Sequence, residues 1–536
     1  MEFASAVDQV IRDNLEKLRK PGVLFIRPGY KSKGGNVTDQ PAIVVTVSNK
    51  RKGVPASERI PPKIGPYPTD VRQASPMHRL RAADPALYAE VADSAPPELQ
   101  RPIFPFERDA TGQLVEPIVA AAAAKVAAHK PPKPKLDPTP SPVPLDPVTG
   151  QFTITCHASP DAGWPTLKPF IAGTQHRLTM AMYEFTAPYI VQAVTTDLKH
   201  RSLALVLDDP HDPIKRDQTE VQTHDQLTQA LGKSMTFAWA LEASDPHVSA
   251  WIYPSAYHIK VMVRDGKAFW LSSGNLNRTN QPDIDPVKNP AAAKPIVPNC
   301  DRDWHVIVEH EGLALAFEKI IEQDLTIASK HQAQGMMMPA GIQAATNTQA
   351  LAPPQKAKVP KTYFAPKTIA GNMTIQPVLT PDNFAQVIVP LIRGTKHTFV
   401  MQTQYITPPK STPAPGSAAG QSDQVLEALI AAIVELIKEG RSVQLIMSEF
   451  ETQDKIELLK ARGIPPQKIK IQHKVHNKGM IIDSSIVVMG SQNWSGQGVS
   501  TNRDASLVIH NADAAKYWGQ IFDHDLKNMV EAGGVD

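Results

Sequence analysis

Two segments of the chain carry the same reactive side chains at the same spacing. In each, a histidine is followed by a lysine, an aspartate and an asparagine, in the pattern H-x-K-x4-D with a trailing Asn. The two sets are His258, Lys260, Asp265 and Asn275, and His476, Lys478, Asp483 and Asn493. An imidazole can act as a nucleophile or as a general acid and base near neutral pH. Ammonium and carboxamide groups can stabilise charge on phosphate oxygens. The duplicated pattern therefore predicts a pocket for a phosphodiester.

Backbone geometry gives a reason for this spacing. Residues two apart on a strand face the same side, so we expect each histidine to lie beside the lysine of its own copy. Asp265 and Asp483 lie at an odd offset from the histidines, which predicts that they point away from the pocket and have a structural role. If the copies pair about a pseudo-twofold axis, both sets of side chains meet in one pocket.

The two motifs resemble the signature of the phospholipase D superfamily, H-x-K-x4-D-x6-G-S-x-N, over roughly residues 151–536. The second copy matches this signature in full. The first copy has Ser272, Ser273 and Gly274 where the family has G-S-x. This departure keeps Asn275. The hydroxyl contact that the family's serine usually makes is therefore expected in the second half, from Ser491.

The resemblance implies a two-step reaction through a covalent phosphohistidine. The family usually has its nucleophile in the N-terminal copy, so we expect His258 to attack phosphorus and His476 to act as the general acid and base. The lysines and asparagines of the two motifs would stabilise the charge on the phosphate oxygens.

The family also supplies a downstream acidic residue that holds the second ring nitrogen of each histidine. Asp303 and Asp504 are the candidates here, since each follows an arginine and precedes an apolar strand, and Asp301 is an alternative to Asp303. No cofactor or metal is expected. His473 and His476 lie three residues apart, but flanking lysines disfavour a cation and the sequence offers no Cys or carboxylate cluster to complete a metal site.

The same series of predicted elements precedes the motif in each copy. A strand at Leu178–Tyr183, a helix near Pro188–Leu198 and a strand at Leu203–Leu207 recur as a strand at Thr398–Thr407, a helix at Val425–Lys438 and a strand at Val443–Met447. Alternating strands and helices indicate an α/β fold with largely parallel sheets. We therefore expect two phospholipase D-like α/β sandwich halves, related by pseudo-twofold duplication, and a small N-terminal α/β domain.

Composition divides the chain into five parts. Residues 1–75 read as a small α/β module, which resembles the module that precedes catalytic domains in some bacterial proteins, including trypsin-like peptidases. No nucleophile, base and acid set is evident in it, which favours docking of a protein partner. The other parts are a helical and Pro-rich linker at 76–150, the first half at 151–330, a linker at 331–366 and the second half at 367–536.

The overall composition sets further limits. A net charge of +3 is too small for a polycation, and two cysteines are too few for a disulfide framework. The first twenty residues mix acidic with apolar side chains, which indicates an amphipathic helix and not a signal peptide. No apolar run approaches the about 20 residues of a membrane span. A cytoplasmic protein is expected.

The pocket alone does not choose between a phospholipid and a nucleic acid. Two copies in one chain resemble the phospholipases and phosphatidyl transferases of the superfamily more than its single-copy nucleases, which favours a phospholipid and activity as a single chain. The basic stretch Leu458–Ile482 suits a DNA or RNA backbone, an anionic lipid surface or a solvated face. A nuclease and a peripheral membrane contact are therefore kept as alternatives. A non-catalytic scaffold that only binds phosphate is the third.

Overall fold

The computed structural model describes residues 2–33, 36–48, 54–73, 107–108, 114–115, 139–208, 216–245, 248–251, 256–332, 362–409, 418–448, 450–451 and 453–528. Most of the two predicted linkers, 76–150 and 331–366, lies outside these residues. In the described part of the chain, no helix is both long and apolar enough to cross a membrane.

The N-terminal module is a small sheet covered by a helical layer. Its elements are α1 (Glu2–Asp13), α2 (Leu15–Leu18), β1 (Val23–Lys33), β2 (Asn36–Val47), β3 (Lys63–Ile64) and β4 (Tyr67–Gln73). Strand β1 pairs antiparallel with β2, and β4 runs parallel to β2. Val7 and Ile11 of α1 are fully buried and share an apolar cluster with Ile43 and Val45 of β2. Two short paired strands follow, β5 (Glu107–Arg108) and β6 (Leu114–Val115).

The first half alternates strands and helices before it reaches the motif. Its elements are β7 (Val148–Ser159), α3 (Gly163–Ala172), β8 (Arg177–Met182), α4 (Pro188–Asp197), β9 (Ser202–Leu207), α5 (Glu220–Leu231), β10 (Met235–Trp239), β11 (Leu241–Asp245), β12 (Val248–Trp251), β13 (Val261–Arg264), β14 (Ala268–Ser272), α6 (Pro290–Ala293), β15 (Asp303–Glu309) and α7 (Glu311–Gln332). Pro188 opens α4, where its fixed φ suits the first helical turn. Thr219 and Gln222 form a capping box at the start of α5.

The second half repeats this series with fewer additions. Its elements are β16 (Lys367–Thr380), α8 (Phe384–Arg393), β17 (Thr398–Thr403), α9 (Ala418–Lys438), β18 (Ser442–Met447), α10 (Gln453–Arg462), β19 (Ile469–Ile471), β20 (Lys478–Ile482), β21 (Ile486–Gly490), β22 (Asp504–His510) and α11 (Ala512–Asn528). The apolar face of α9 is buried, including Leu426, Leu429 and Ile433 at helical spacing.

Both halves have the same strand order. It is β10-β9-β8-β13-β14-β15-β7 in the first half and β19-β18-β17-β20-β21-β22-β16 in the second. Strands β7 and β16 pair antiparallel, so one sheet runs through both halves. The predicted α/β fold class is confirmed, and the shared strand order shows the duplication.

The expectation of largely parallel sheets is wrong. Among the described strands, only β8, β9 and β10 run parallel in the first half, as do β17, β18 and β19 in the second. The strands around each motif are antiparallel, because tight turns and not crossover helices join β13 to β14 and β20 to β21. Asp265 and Gly266 make the first of these turns with positive φ angles of 56° and 65°, and Asp483 makes the second with a φ of 49°.

The two halves share one apolar core. The largest cluster contains buried side chains of both, including Trp304 of β15 and Trp518 of α11, whose stacked rings lie 5.8 Å apart. Because this cluster and the β7–β16 pairing both cross the boundary, the halves are fixed relative to each other.

The N-terminal module packs against the second half. Strand β2 pairs with the edge strand β19 at Asn36 and Lys470. Tyr30 is buried in the apolar cluster of the second half, and Nζ of Lys460 lies 4.8 Å from the centroid of its ring. The module therefore extends the sheet beyond β19 and covers that edge.

Candidate active site

The histidine and lysine of each motif lie side by side. His258 and Lys260 occupy the extended segment just before β13, and Lys478 is the first residue of β20. Nζ of Lys260 donates to the carbonyl oxygen of His258 at 2.6 Å. Nζ of Lys478 lies 3.2 Å from both ring nitrogens of His476. The predicted proximity holds, although the motif histidines precede the strands and are not part of them.

Each histidine is held by an aspartate of the other half. Nδ1 of His258 lies 2.7 Å from Oδ1 of Asp504, and Nδ1 of His476 lies 3.0 Å from Oδ1 of Asp303. An ionised carboxylate only accepts hydrogen bonds, so Nδ1 carries the proton and Nε2 carries the lone pair in the neutral rings. The two motifs therefore form a single site across the boundary between the halves.

The alternative Asp301 does not hold His476. One of its oxygens lies 3.9 Å from Nζ of Lys474, and the other accepts from Nδ2 of Asn280 at 3.3 Å. The hydrogen bond to the imidazole comes from Asp303, two residues further on.

The motif aspartates point away from the site. Asp265 accepts the backbone N–H groups of Gln175, His176 and Arg177 at the start of β8. Asp483 does the same at the start of β17, where it accepts from Lys396, His397 and Thr398. Burial raises the pKa of each carboxyl, but the three N–H donors outweigh it and the net pKa is lowered. Both aspartates thus tie the motif hairpin to a neighbouring strand.

The serine contact occurs in both halves, which corrects the expectation that rested on Ser491 alone. Oγ of Ser491 donates to Oδ1 of Asp504 at 2.6 Å, and Oγ of Ser273 donates to Oδ1 of Asp303 at 2.8 Å. The signal was in the sequence, because each serine lies two residues before the motif asparagine. The real departure of the first copy is Ser272, which replaces the glycine found at Gly490.

The motif asparagine of the first half is held by a glutamate outside the motif. Nδ2 of Asn275 donates to Oε2 of Glu184 at 2.9 Å, and Asn277 donates to the same oxygen at 2.8 Å. No described residue donates to the buried Oδ1 of Asn275 or of Asn493. Glu184 was missed by sequence reasoning, although its place just after β8 is where parallel strands usually present functional side chains.

One aromatic residue lines the first motif and was also missed. The ring of Tyr183 lies 4.5 Å from the ring of His258, edge to face, and 5.0 Å from Nζ of Lys260. A ring face next to an ammonium group stabilises its charge.

Burial keeps the site less charged than its composition suggests. Burial and the neighbouring Lys260 lower the pKa of His258 to about 4, against the opposing effect of Asp504. Burial lowers the pKa of Lys260 to about 7 and that of Lys478 to about 8. The pKa of His476 is also lowered, by burial and by Lys478. Both imidazoles are therefore neutral at pH 7.

The two aspartates keep their charge. Burial raises the pKa of Asp303, but His476 outweighs it through its charge and its hydrogen bond, so the net pKa lies well below the ordinary range. The same opposition, with His258 as the partner, lowers the pKa of Asp504. In the described part of the chain, no three His, Cys, Asp or Glu side chains are grouped so that they could hold a metal ion.

A family model described as "Cardiolipin synthase, PLD-like domain" matches residues 388–526. The matched segment covers most of the second half, including its motif, and supports the phospholipase D superfamily for this part of the chain. No curated protein sequence matches the chain at a significant level.

Several solved structures resemble the fold loosely. The phosphatidylserine synthase of Haemophilus influenzae Rd KW20 is 11% identical, with a TM-score of 0.45, and the alignment covers 70% of this chain and 86% of that one. The polyphosphate kinase of Porphyromonas gingivalis is 10% identical, with a TM-score of 0.37 and coverage of 69% and 50%. Nuc of Salmonella typhimurium, a phospholipase D family member, is 20% identical, with a TM-score of 0.22 and coverage of 30% and 97%. Similarities of this size carry no argument about the function of this chain.

Proposed function

We propose that this protein is a phosphodiesterase of the phospholipase D type, which works through a covalent phosphohistidine and needs no metal ion. The observation that carries the proposal is the crossed pairing of His258 with Asp504 and of His476 with Asp303. This pairing gives one pocket two oriented imidazoles, with a lysine beside each.

The reaction has two displacements at phosphorus. In the first, the lone pair on Nε2 of His258 forms a P–N bond while the P–O bond to the leaving alcohol breaks, and protonated His476 gives its proton to that oxygen. In the second, the oxygen of water or of an alcohol attacks phosphorus and gives a proton to His476. The P–N bond breaks and its electron pair returns to His258.

The charges of the pocket suit both steps at a pH below the lowered pKa of His476, where this ring carries the proton that the first step needs. A pKa of about 4 keeps His258 neutral, so its lone pair is available for attack. Lys260 and Lys478 are buried cations next to the histidines, where they would stabilise the negative charge that builds up on the phosphate oxygens. Removal of one such preorganised donor typically costs about 2.7–4 kcal/mol of transition-state stabilisation.

A phospholipid is the proposed substrate. The family model that matches the second half is named for cardiolipin synthase, an enzyme of lipids. The basic stretch that suited a nucleic acid is largely occupied by internal contacts. Arg462 pairs with Glu427, Nζ of Lys470 donates to the carbonyl oxygen of Leu526, and Lys474 lies 3.9 Å from Asp301. These contacts leave less positive charge for a nucleic-acid backbone and for an anionic lipid surface alike, so the choice of a phospholipid rests on the family model.

Parallel assays test this proposal. Purified protein is incubated in EDTA with phosphatidylglycerol vesicles, and separately with plasmid DNA, and head-group release and strand cleavage are measured. We expect head-group release that EDTA leaves unchanged. His258→Asn and His476→Asn should each lower it by about 10³-fold or more, as loss of a nucleophile or of an acid and base typically does. Cleavage of DNA alone would move the assignment to a nuclease, and full activity of either variant would refute the mechanism.

A further inference from the structure

Each aspartate that holds a histidine follows a buried arginine whose guanidinium contacts both halves of the molecule. We propose that Arg302 and Arg503 are positioning residues, which fix Asp303 and Asp504 against the histidines of the opposite half. The inference rests on the proposed function and adds residues that neither motif contains.

Arg503 lies between two carboxylates. Its Nε and Nη2 both donate to Asp324 of α7 at 3.0 Å, in a fork-like geometry, and its Nη1 donates to Asp382 at 2.9 Å. The arginine is fully buried. Asp324 belongs to the first half and Asp382 to the second, so the side chain joins the two.

Arg302 makes the equivalent contacts with the roles of the two halves exchanged. Its Nε and Nη2 donate to Asp525 of α11 at 3.0 and 3.2 Å, and its Nη1 donates to Asp161 and to the carbonyl oxygen of Ser159. Here Asp161 comes from the first half and Asp525 from the second. Asp525 follows Asp504 by 21 residues, as Asp324 follows Asp303. The duplication has therefore kept the network together with the motif.

The backbone of each arginine is fixed to the motif segment of the other half. The N–H of Arg503 donates to Ala256 at 2.9 Å, two residues before His258. The N–H of Arg302 donates to Lys474 at 2.6 Å, and the carbonyl oxygen of Arg302 accepts from the N–H of His476 at 3.1 Å. An arginine held at both its backbone and its guanidinium leaves the next residue little freedom to move.

The same networks reach the neighbours of the histidines. The hydroxyl of Tyr257 donates to Asp324 at 3.0 Å. On the other side, Gln402 donates to Asp525 at 2.9 Å and accepts from Asn477 at 3.2 Å. Each aspartate of the long helices therefore steadies both members of one histidine–aspartate pair.

Stability alone does not explain such a network. Buried ion pairs can often be replaced by apolar residues without loss of stability. A bidentate guanidinium contact, in contrast, fixes direction as well as distance. Displacement of a catalytic group by about 1 Å can cost about 10²-fold in rate. A network that fixes the direction of the aspartates is therefore suited to catalysis.

The test compares Arg302→Lys with Arg503→Lys on two diesters. Lysine keeps the positive charge between the aspartates but cannot make the two-pronged hydrogen-bonded contact of the guanidinium group with one carboxylate. One diester is the alkyl ester phosphatidylglycerol, and the other is bis(4-nitrophenyl) phosphate, whose leaving group needs little protonation. The measured quantity is kcat/KM, which reports the first displacement. Arg393→Lys is the matched control, because Arg393 makes a similar fork with Glu435 on the exposed surface.

We expect Arg302→Lys, which loosens the acid His476, to lower kcat/KM about 10–100-fold on the alkyl ester and much less on the nitrophenyl ester. Arg503→Lys, which loosens the nucleophile His258, should lower it by similar factors on both. The control variant Arg393→Lys should leave kcat/KM unchanged on both esters. Equal losses on both esters for both arginines, no loss, or the reversed dependence would overturn the inference.

A second pair of variants covers the case in which lysine disturbs folding, as judged by the thermal unfolding temperature. Asp161→Asn and Asp382→Asn keep an oxygen acceptor in place and leave each arginine its other aspartate. Asp161→Asn should show the same dependence on the leaving group as Arg302→Lys, and Asp382→Asn the same as Arg503→Lys. If wild-type protein cleaves neither ester, the proposed function fails. If it cleaves both and every variant loses both equally, only the positioning role fails.

Discussion

The protonation states of the two histidines predict an acidic pH optimum for kcat/KM. Neutral His258 is required, and its pKa of about 4 places the acid limb there. Protonated His476 is required for the first displacement, and its pKa lies below the ordinary value of about 6.5. The profile should therefore be a bell whose acid limb lies near pH 4 and whose basic limb lies below the ordinary imidazole pKa, with both lysines still charged across it.

Substrate should shift this profile. A bound phosphate anion favours the protonated imidazole, so the optimum of kcat should lie at a higher pH than that of kcat/KM. Both profiles can be recorded with the alkyl ester phosphatidylglycerol, whose leaving oxygen needs the proton of His476, with circular dichroism at each pH as the control for folding. A kcat/KM optimum above pH 7 would contradict the assigned roles.

The two serines should differ in how much they matter. Asp303 accepts from Ser273, from Nδ2 of Asn280 at 2.8 Å and from His476. No described residue donates to Oδ2 of Asp504. The hydrogen bond from Ser491 is therefore a larger part of what holds Asp504 in place than the bond from Ser273 is for Asp303. A hydrogen bond to a charged group contributes about 1.5–3 kcal/mol. Ser491→Ala should therefore lower kcat/KM about 10-fold or more, and Ser273→Ala by less. Equal or inverted losses would show that the additional donor does not compensate.

The sequence predicted individual residues better than their partners. The spacing of His, Lys and Asn identified the motif side chains, and the apolar strand after Asp303 and Asp504 identified the aspartates. It did not reveal that the pairs cross between the halves, since this depends on the antiparallel contact of β7 with β16. Glu184 and Arg503 were missed for the same reason, because their partners are distant in sequence.

At the level of elements, the last residue of β21, Gly490, lies where there is no room for a side chain. A Cβ at Gly490 would overlap the carbonyl oxygen of Ala505 and the side chain of Ser506. Overpacking of this kind typically costs about 1–3 kcal/mol. Gly490→Ala should therefore lower the free energy of unfolding by about that amount, as measured by urea denaturation.

Gly150 of β7 is the matched control, because a Cβ there meets nothing within 4 Å. Gly150→Ala should be neutral or stabilise by up to about 1 kcal/mol, through the lower entropy of the unfolded chain. If Gly490→Ala were equally harmless, the pairing of β21 with β22 would differ from the one described. The first half has Ser272 at the corresponding place, so this tight contact belongs to the second half alone.

Element types were predictable where hydrophobic periodicity was strong. The strand, helix and strand that precede each motif lie close to the predicted positions, as β8, α4 and β9 show. The direction of the strands was not predictable in the same way, because an apolar run has the same composition in parallel and antiparallel pairs. The turn at Asp265 and Gly266 was the local signal for the antiparallel hairpin.

For the whole molecule, the placement of the N-terminal module has a structural consequence. It covers the edge strand β19 of the second half, and an uncovered edge is a site for unwanted pairing. Part of the surface of the module is thus used within the chain. The prediction that it docks a protein partner stays a prediction, and its remaining surface is where such a partner would bind.

The crossed pairs predict that one chain makes one complete site. A His258→Asn chain and a His476→Asn chain each lack one imidazole of the same pocket, so a co-expressed mixture should stay as inactive as either variant alone. The physical reason is that His258 reaches Asp504, and His476 reaches Asp303, through a sheet and a core that are continuous within the chain. Wild-type activity should also rise linearly with protein concentration. If the mixture recovered activity, the pocket would be formed between chains, and the pairing described here would have to occur between two copies.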